Sequence, residues 1–567
     1  MVIRRTTYPQ VEPRAAGIMT RACAVVPRSL PIEEASRVAR HRRARLLVAR
    51  VGSGWGGVTP GVLEHALALG LHGVALEALL WGAPAVPPTV PEVTVRRKLG
   101  SATPFVVVVE QGQPVGAVLG EPRSGRTLPR SVAAALGRLD EGTVWLLRTA
   151  ARLGEELGWP VAAVGGFVRE LLRDRLAHGP RDLDLVVEGD GRLLARRLAP
   201  LLGGRLRQHE TFLTATVMLP DGRRIDVATA RRERYRQPGA LPRVEAATLA
   251  EDLARRDFSV NALAILLPGA AWGGVLDPTG GLEDLQRGRI RILHPLSFIE
   301  DPTRIFRAAR FAVRLGFRVE PTTRRLLAAA AALPVYRALS GERLMAELEA
   351  ILAEEAPAEV LARLGRAGAF RLLLPDYRFS RRTAALVRRA AASIAALSVD
   401  PETARGLSLL ALSADLHPAA VEAWVARWSP PAPMRAALAR ARAEAPGLLA
   451  RLRAVTGPGQ AYAALRSVPE AVAAWAYVLA PEARLRRYIA QHLRRWRGLQ
   501  PLLTGADLKA MGLSPGPLFG RLLEGLRVAQ VAGRLRSREE AAAWVRRTVG
   551  RSRGDGGRAS ANGAPPG

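Results

Sequence analysis

Apolar positions recur along the 567-residue chain in two different rhythms. In the first stretch, short β-branched runs such as FVVVVEQGQPVGAVL (residues 105–119) alternate with helical segments such as GVLEHALALGL (61–71). This predicts small α/β units over residues 14–125. Strand and helix patterns mix again over 140–282. From there on, almost every window carries Leu and Ala at helical spacing, as in LMAELEAILAEEAPAEVLARLGRAG (344–368). The pattern divides this helical part into 283–375 and 376–550, while 551–567 has no apolar residues to bury and is expected to be disordered. The fold class expected is therefore α/β plus all-α. No apolar run approaches the length needed to cross a bilayer. Within 14–125, the order turn, helix, strand, glycine turn, strand occurs twice, which points to an internal duplication.

Polar residues that interrupt the apolar runs of the second region carry the chemistry. In VAAVGGFVRELL (161–172) a strand meets Gly165 and Gly166, and a helix follows with Arg169 in its first turn. A helix amino terminus with free N–H groups suits a phosphate. The next strand, RDLDLVVE, places Asp182 and Asp184 two residues apart, hence on one face and about 6.6 Å apart along the strand. Carboxylates at the mouth of a buried strand require a cation, because a desolvated unpaired charge costs several kcal/mol. Asp226, in GRRIDVATA, stands at the mouth of another apolar strand that can pair alongside. Three carboxylates beneath a glycine phosphate turn are what two-metal nucleotidyl transfer requires, with Mg²⁺ as the expected ion held by Asp182 and Asp184.

Further on, RRDFSVNALAI places Arg256 and Asp257 ahead of Asn261, and read alone it is an amphipathic helix start with an aspartate cap. In FIEDPTRIFRAARF, Asp301 before Pro302 reads as a helix N-cap. The cap does not explain Arg304, Arg307 and Arg310, which recur every third residue near a helix end whose dipole disfavours cations, and which imply an anion nearby. Cytosine and adenine both place an exocyclic amine beside a ring-nitrogen acceptor. A carboxylate beside a guanidinium can therefore read either base and reject uracil and guanine.

Composition narrows the partners. Net charge is +32, almost all from arginine, since Lys98 and Lys509 are the only lysines. That excess favours a polyanion such as RNA, DNA or anionic lipid, although a GC-rich genome produces the same bias. Aromatic content of 5%, without interleaved Phe and Tyr, favours folded RNA read through phosphates and shape over single-strand stacking. A single cysteine, Cys23, excludes an intramolecular disulfide framework, and a cytoplasmic location is expected.

The ordered segments GGFVRELL, RDLDLVV, DLARRDFSVNALAI, DPTGGLEDLQRGRIRIL, FIEDPTRIFRAARFAVRLGF, SGERLMAELEAIL and PLLTGADLKAMGLSPGPLFGRLLEGL resemble the bacterial tRNA nucleotidyltransferase and poly(A) polymerase family. The resemblance covers most of residues 140–550, with Glu170 where the family usually has Asp. It implies a polymerase-β-like nucleotidyltransferase head, then an elongated helical neck, body and tail. It also implies that the enzyme adds CMP, AMP or both to tRNA 3′ ends from ATP and CTP. Poly(A) polymerase activity on other RNA 3′ ends, and a non-catalytic RNA-binding regulator of the same fold, are the alternatives. By the same resemblance Asp301 and Arg304 select the base, and Arg307 and Arg310 complete the nucleotide pocket. Arg256, Asp257 and Asn261 meet the triphosphate and ribose, and ARRERYRQPGALPRVEAATLAEDL forms a flexible loop that relatives adding only cytidines have reduced or altered. The duplicated front end resembles a degenerate pair of CBS-type repeats. Gly57 and Thr59 are kept, but Val62 replaces an acidic ribose partner and Leu119 a hydroxyl residue, which implies a structural or homodimerising role over ligand sensing.

Overall fold

The computed structural model describes residues 13–120, 127–176, 180–209 and 213–556. The chain forms two compact units. One is built from residues up to 347 with 354–356 and 363–378, the other from 348–353, 357–362 and 379 onward.

In the first unit the duplication read from the sequence is present as topology. Strands β1 (Cys23–Val25), β2 (Leu46–Val51), β3 (Gly54–Val58) and β4 (Trp81–Ala83) form one sheet in that order. The β1–β2 pair is parallel across the helix Ile32–His41, and β2–β3 is antiparallel across a tight turn. The second copy repeats this with β5 (Ala85–Val86), the helix Glu92–Lys98, β6 (Phe105–Glu110) and β7 (Gln113–Leu119). Each copy folds this way because the first four residues of its central strand are consecutively buried and must be covered on both faces.

An eight-stranded sheet follows, of β8 (Thr127–Ser131), β9 (Val161–Val164), β10 (Asp182–Val187), β11 (Arg205–His209), β12 (Thr214–Met218), β13 (Arg224–Thr229), β16 (Ala264–Leu266) and β17 (Gly274–Leu276). Its order is β11-β12-β13-β10-β9-β16-β17-β8. Among these pairings only β10–β13 is parallel, with Asp184 opposite Asp226. The helix Gly191–Leu201, capped by Asp190, makes the crossover that a parallel pair requires. β8 comes from residues 127–131, between the two regions outlined by the sequence pattern, and closes the sheet edge beside β17.

Two local expectations are corrected. Residues 257–267 are not a helical run: a single 3-10 turn, Ser259–Asn261, leads into β16, where Ala262 and Ala264 pack with Ala162, Val164 and Val186 of the sheet. The segment expected as a flexible loop is a hairpin of β14 (Arg231–Arg234) and β15 (Arg243–Ala246). Its connection is tied down by Gly239, whose N–H donates to the Glu300 carbonyl at 3.0 Å and whose carbonyl accepts from Arg343 Nη1 at 2.7 Å.

The second unit is helical. Long elements such as Arg381–Leu397, Pro401–Leu412, Ala432–Arg453 and Pro517–Val531 are joined by short turns, with Trp424 and Trp428 fully buried and their rings 5.9 Å apart. The last helix, Arg538–Gly556, runs past the expected boundary at 550. The rest of the segment read as disordered, 557–567, lies outside the described residues. No helix among the described residues is long and apolar enough to cross a membrane.

Candidate active site

The site is assembled on the parallel pair. Alternation along β10 buries Leu183 and Leu185 and turns Asp182 and Asp184 to the other face, where β13 brings Asp226 level with Asp184. β9 lies on the other side of β10, with Val164 opposite Asp184. The helix Gly165–Leu172 therefore starts directly beside the Asp184 carboxyl. Gly165 has φ +71°, and a Cβ there would come within 2.6 Å of Asp184 Oδ2. Glycine is required on both counts. Gly165→Ala is expected to displace the Asp184 carboxylate and lower kcat by about 10²-fold with little change in tRNA affinity, measured by single-turnover addition beside a binding titration.

A cleft of about 500 Å³ opens above this corner. Of the residues singled out in the sequence, Gly165, Gly166, Arg169, Asp184, Asp226, Arg256, Asp257, Asn261, Asp301, Arg304 and Arg307 line it, and Asp182 and Arg310 do not. Asp182 sits exposed at the start of β10. Burial pushes the Asp184 carboxyl above the usual carboxylate range; the Arg256 guanidinium opposes this, and the charges of Asp226 and Asp182 add to it.

The arginine residues are held by a buried network. Arg307 donates from Nε and Nη2 to Asp257 Oδ2 at 2.9 and 2.6 Å. Asp257 Oδ1 accepts from Asn261 Nδ2 at 3.0 Å, and Asn261 Oδ1 in turn accepts from Arg169 Nη1 at 2.6 Å. Arg169 Nε reaches Glu170 at 2.9 Å, so the glutamate at this position anchors the arginine of its own helix. Burial alone would raise the Asp257 carboxyl, but Arg307, Asn261 and Arg304 outweigh it and hold it below the ordinary range. As placed here, Asp257 and Asn261 aim Arg307 and Arg169 into the cleft. Arg256 is steadied by Asp252, with Nη2 3.0 Å from Oδ2.

Asp301 and Arg304 form the opposite wall. The helix starts at Thr303 with Pro302 as N-cap, one residue later than read from sequence, yet Asp301 still accepts the Thr303 N–H at 3.1 Å. Asp301 Oδ1 also takes the Thr303 hydroxyl at 2.6 Å and Arg343 Nη2 at 2.7 Å. Arg304 donates from Nη1 to Ser297 Oγ and from Nη2 to the Arg255 carbonyl, both at 2.8 Å. With those bonds made, Asp301 Oδ2 lies 4.0 Å from Arg304 Nε, an acceptor beside a donor.

Arg310 faces away from the cleft, 3.6 Å from both Glu347 and Glu354. The anion implied by the arginine stripe is thus partly the protein's own carboxylates. Sequence reading did not single out Glu233, Arg255, Phe311 and Arg314, which also line the cleft. Arg314 extends the arginine series by one turn, a signal that was available. Glu233, on β14, meets Arg255, at the end of the helix Leu249–Ala254, as an ion pair that no local pattern announces.

The residues fit a divalent ion in part. Among the described residues no group of three His, Cys, Asp or Glu side chains is placed to cage one. However, no described side chain bonds the carboxylates of Asp182 or Asp184, and the absent Cβ at Gly165 leaves room beside Asp184 Oδ2. Two carboxylates without protein partners, Asp184 in the cleft and Asp182 exposed at the start of the same strand, suit an ion whose remaining ligands would be substrate oxygens and water.

Comparison with known proteins follows the same residues. The Poly A polymerase head domain matches 161–291, and the probable RNA and SrmB-binding site of polymerase A matches 316–380. An A-adding tRNA nucleotidyltransferase of Geobacter sulfurreducens is 35% identical over 422 residues, 72% of this chain; the chain spans about half of that protein, 48%. The A-adding enzyme of Halalkalibacterium halodurans is 34% identical over 71% of this chain and 91% of its own length. The CC-adding enzyme of Deinococcus radiodurans is 34% identical over 72% and 93%. The structure of a Thermotoga maritima CCA-adding enzyme complexed with tRNA superposes with a TM-score of 0.61 at 29% identity, covering 74% of this chain and 99% of that one.

Proposed function

The chain belongs to the family of tRNA nucleotidyltransferases and poly(A) polymerases, and from that premise we propose that it adds CMP, AMP or both to the 3′ end of tRNA. It is an RNA nucleotidyltransferase, with a mixed α/β head followed by a long helical region. The observation that carries the reading is the junction of two surfaces in one cleft: the Asp184–Asp226 corner under Gly165, and the Asp301–Arg304 edge facing it.

Arg169, Arg256 and Arg307 bind the triphosphate and turn its α-phosphorus toward the carboxylates. Asp301 Oδ2 accepts the exocyclic amine of cytosine or adenine while Arg304 donates to the ring nitrogen. Uracil or guanine would face like against like in a buried wall. A divalent ion, read here as Mg²⁺, held by Asp182 and Asp184 supplies acidification of the RNA 3′-hydroxyl and neutralisation of the departing pyrophosphate. The docked β14–β15 hairpin supports AMP addition as part of the activity, in line with the altered state of this region expected of cytidine-only relatives. The duplicated front end supports a CBS-like platform for a homodimer, which sedimentation of the full chain would test.

Three tRNA transcripts, ending before the first C, the second C and the terminal A, incubated with each NTP and Mg²⁺, test the activity by mass. Gain of C on the first two, or of A on the third, is expected. No gain with CTP or ATP on any of them would overturn the reading, and long oligo(A) on unstructured RNA would favour a poly(A) polymerase.

A further inference from the structure

The sheet face that bears the catalytic aspartates carries a fourth charged side chain. Arg224 is the in-register partner of Asp182 on the neighbouring strand, as Asp226 is of Asp184. The two strands therefore present three carboxylates and one guanidinium at the corners of a small patch. Arg224 grips Asp226 side-on: Nε donates to Oδ1 at 3.0 Å, and Nη2 lies 2.7 Å from Oδ2. Asp226 Oδ1 also accepts the Thr216 hydroxyl at 2.6 Å. Both oxygens of Asp226 are thus engaged, whereas Asp182 and Asp184 take no bond from any described residue. The hydrogen bond to Asp226, and after it the charges of Asp226, Asp182 and Asp184, hold the Arg224 guanidinium above its ordinary range against the effect of partial burial.

We propose that Arg224 is the resident counter-ion of the catalytic carboxylates, a positioning residue that competes with the divalent ion and sets its affinity. The inference rests on the nucleotidyltransferase reading of the same aspartates. Three like charges on adjacent strands repel one another, and one fixed guanidinium removes a third of that charge without blocking the two open carboxylates. The same positive charge opposes a second cation at Asp182 and Asp184. The fork also keeps Asp226 from ligating until it opens. Arg224 is half exposed, so solvent screening limits the effect to an adjustment of affinity and leaves the ion able to bind.

Titration of the full-length protein with Mn²⁺ alone, by calorimetry and without nucleotide or RNA, tests this. Arg224→Gln is expected to bind Mn²⁺ about tenfold more tightly than the parent and to melt at lower temperature without the ion, with the difference closing as Mn²⁺ is added. Arg224→Lys keeps the charge but not the fork and should fall between the parent and Arg224→Gln. A folded Arg224→Gln with parental or weaker Mn²⁺ affinity would overturn the proposal. If the parent itself binds no Mn²⁺, or Asp184→Asn binds it as well as the parent, the metal assignment fails instead.

Discussion

Asp184→Asn is expected to lower kcat for nucleotide addition by about 10³-fold or more while tRNA affinity stays within a factor of two or so. The substitution keeps volume and shape, so Gly165 still packs beside it and β10 keeps its register with β13. What is lost is a charge that burial and two neighbouring carboxylates already disfavour. Burial and those neighbours make the charge costly there, a bound cation would offset that cost, and the neutral amide removes the attraction that would hold the ion. Pre-steady-state addition with a tRNA lacking its terminal A, beside a filter-binding titration, separates the two effects. Turnover within tenfold of the parent would show that Asp184 is not a ligand.

Arg304→Gln is expected to damage choice more than chemistry. Arg304 is 5% exposed, and two of its guanidinium nitrogens are committed to Ser297 and the Arg255 carbonyl, which fixes its plane against Asp301. Glutamine can present either a donor or an acceptor at the cleft, so the donor beside Asp301 Oδ2 is no longer obligatory. The ratio of kcat/KM for CTP or ATP to that for UTP should fall by about 10²-fold, with kcat for the favoured nucleotide falling less. An unaltered preference among CTP, ATP and UTP would remove Arg304 from base reading.

How much of this could be read from the chain depends on whether the partner is local. Alternation in RDLDLVV fixes Asp182 and Asp184 on one face without further information, and the apolar run around Asp226 identifies a strand. Arg224 sits two residues before Asp226 and was legible by the same alternation, but a lone arginine at a strand end is usually a solvated one. The arginine stripe was visible, and the partners it meets were not. Arg307 turns to Asp257 and Arg310 to Glu347 and Glu354, carboxylates distant in the chain that only the tertiary fold brings close. The segment after Asp257 shows the opposite failure. Its buried residues fit a helical period as well as a strand's, and only antiparallel pairing of β16 with β9 decides between them. β8 was missed because an edge strand is recognised by the neighbour it completes.

The lone parallel pairing in the sheet has an implication for heredity of function. Asp226 reaches the correct side only because β13 is indexed against β10 at one position, and a slide of a single residue would send its carboxylate to the opposite surface. That indexing is enforced by the Gly191–Leu201 crossover and by β12, which pairs antiparallel with β13, and neither of them lines the cleft. Silent-looking changes among those packing residues can therefore yield a well-folded yet inert protein, and mutational tolerance should drop at positions that do not touch the Asp184–Asp226 corner.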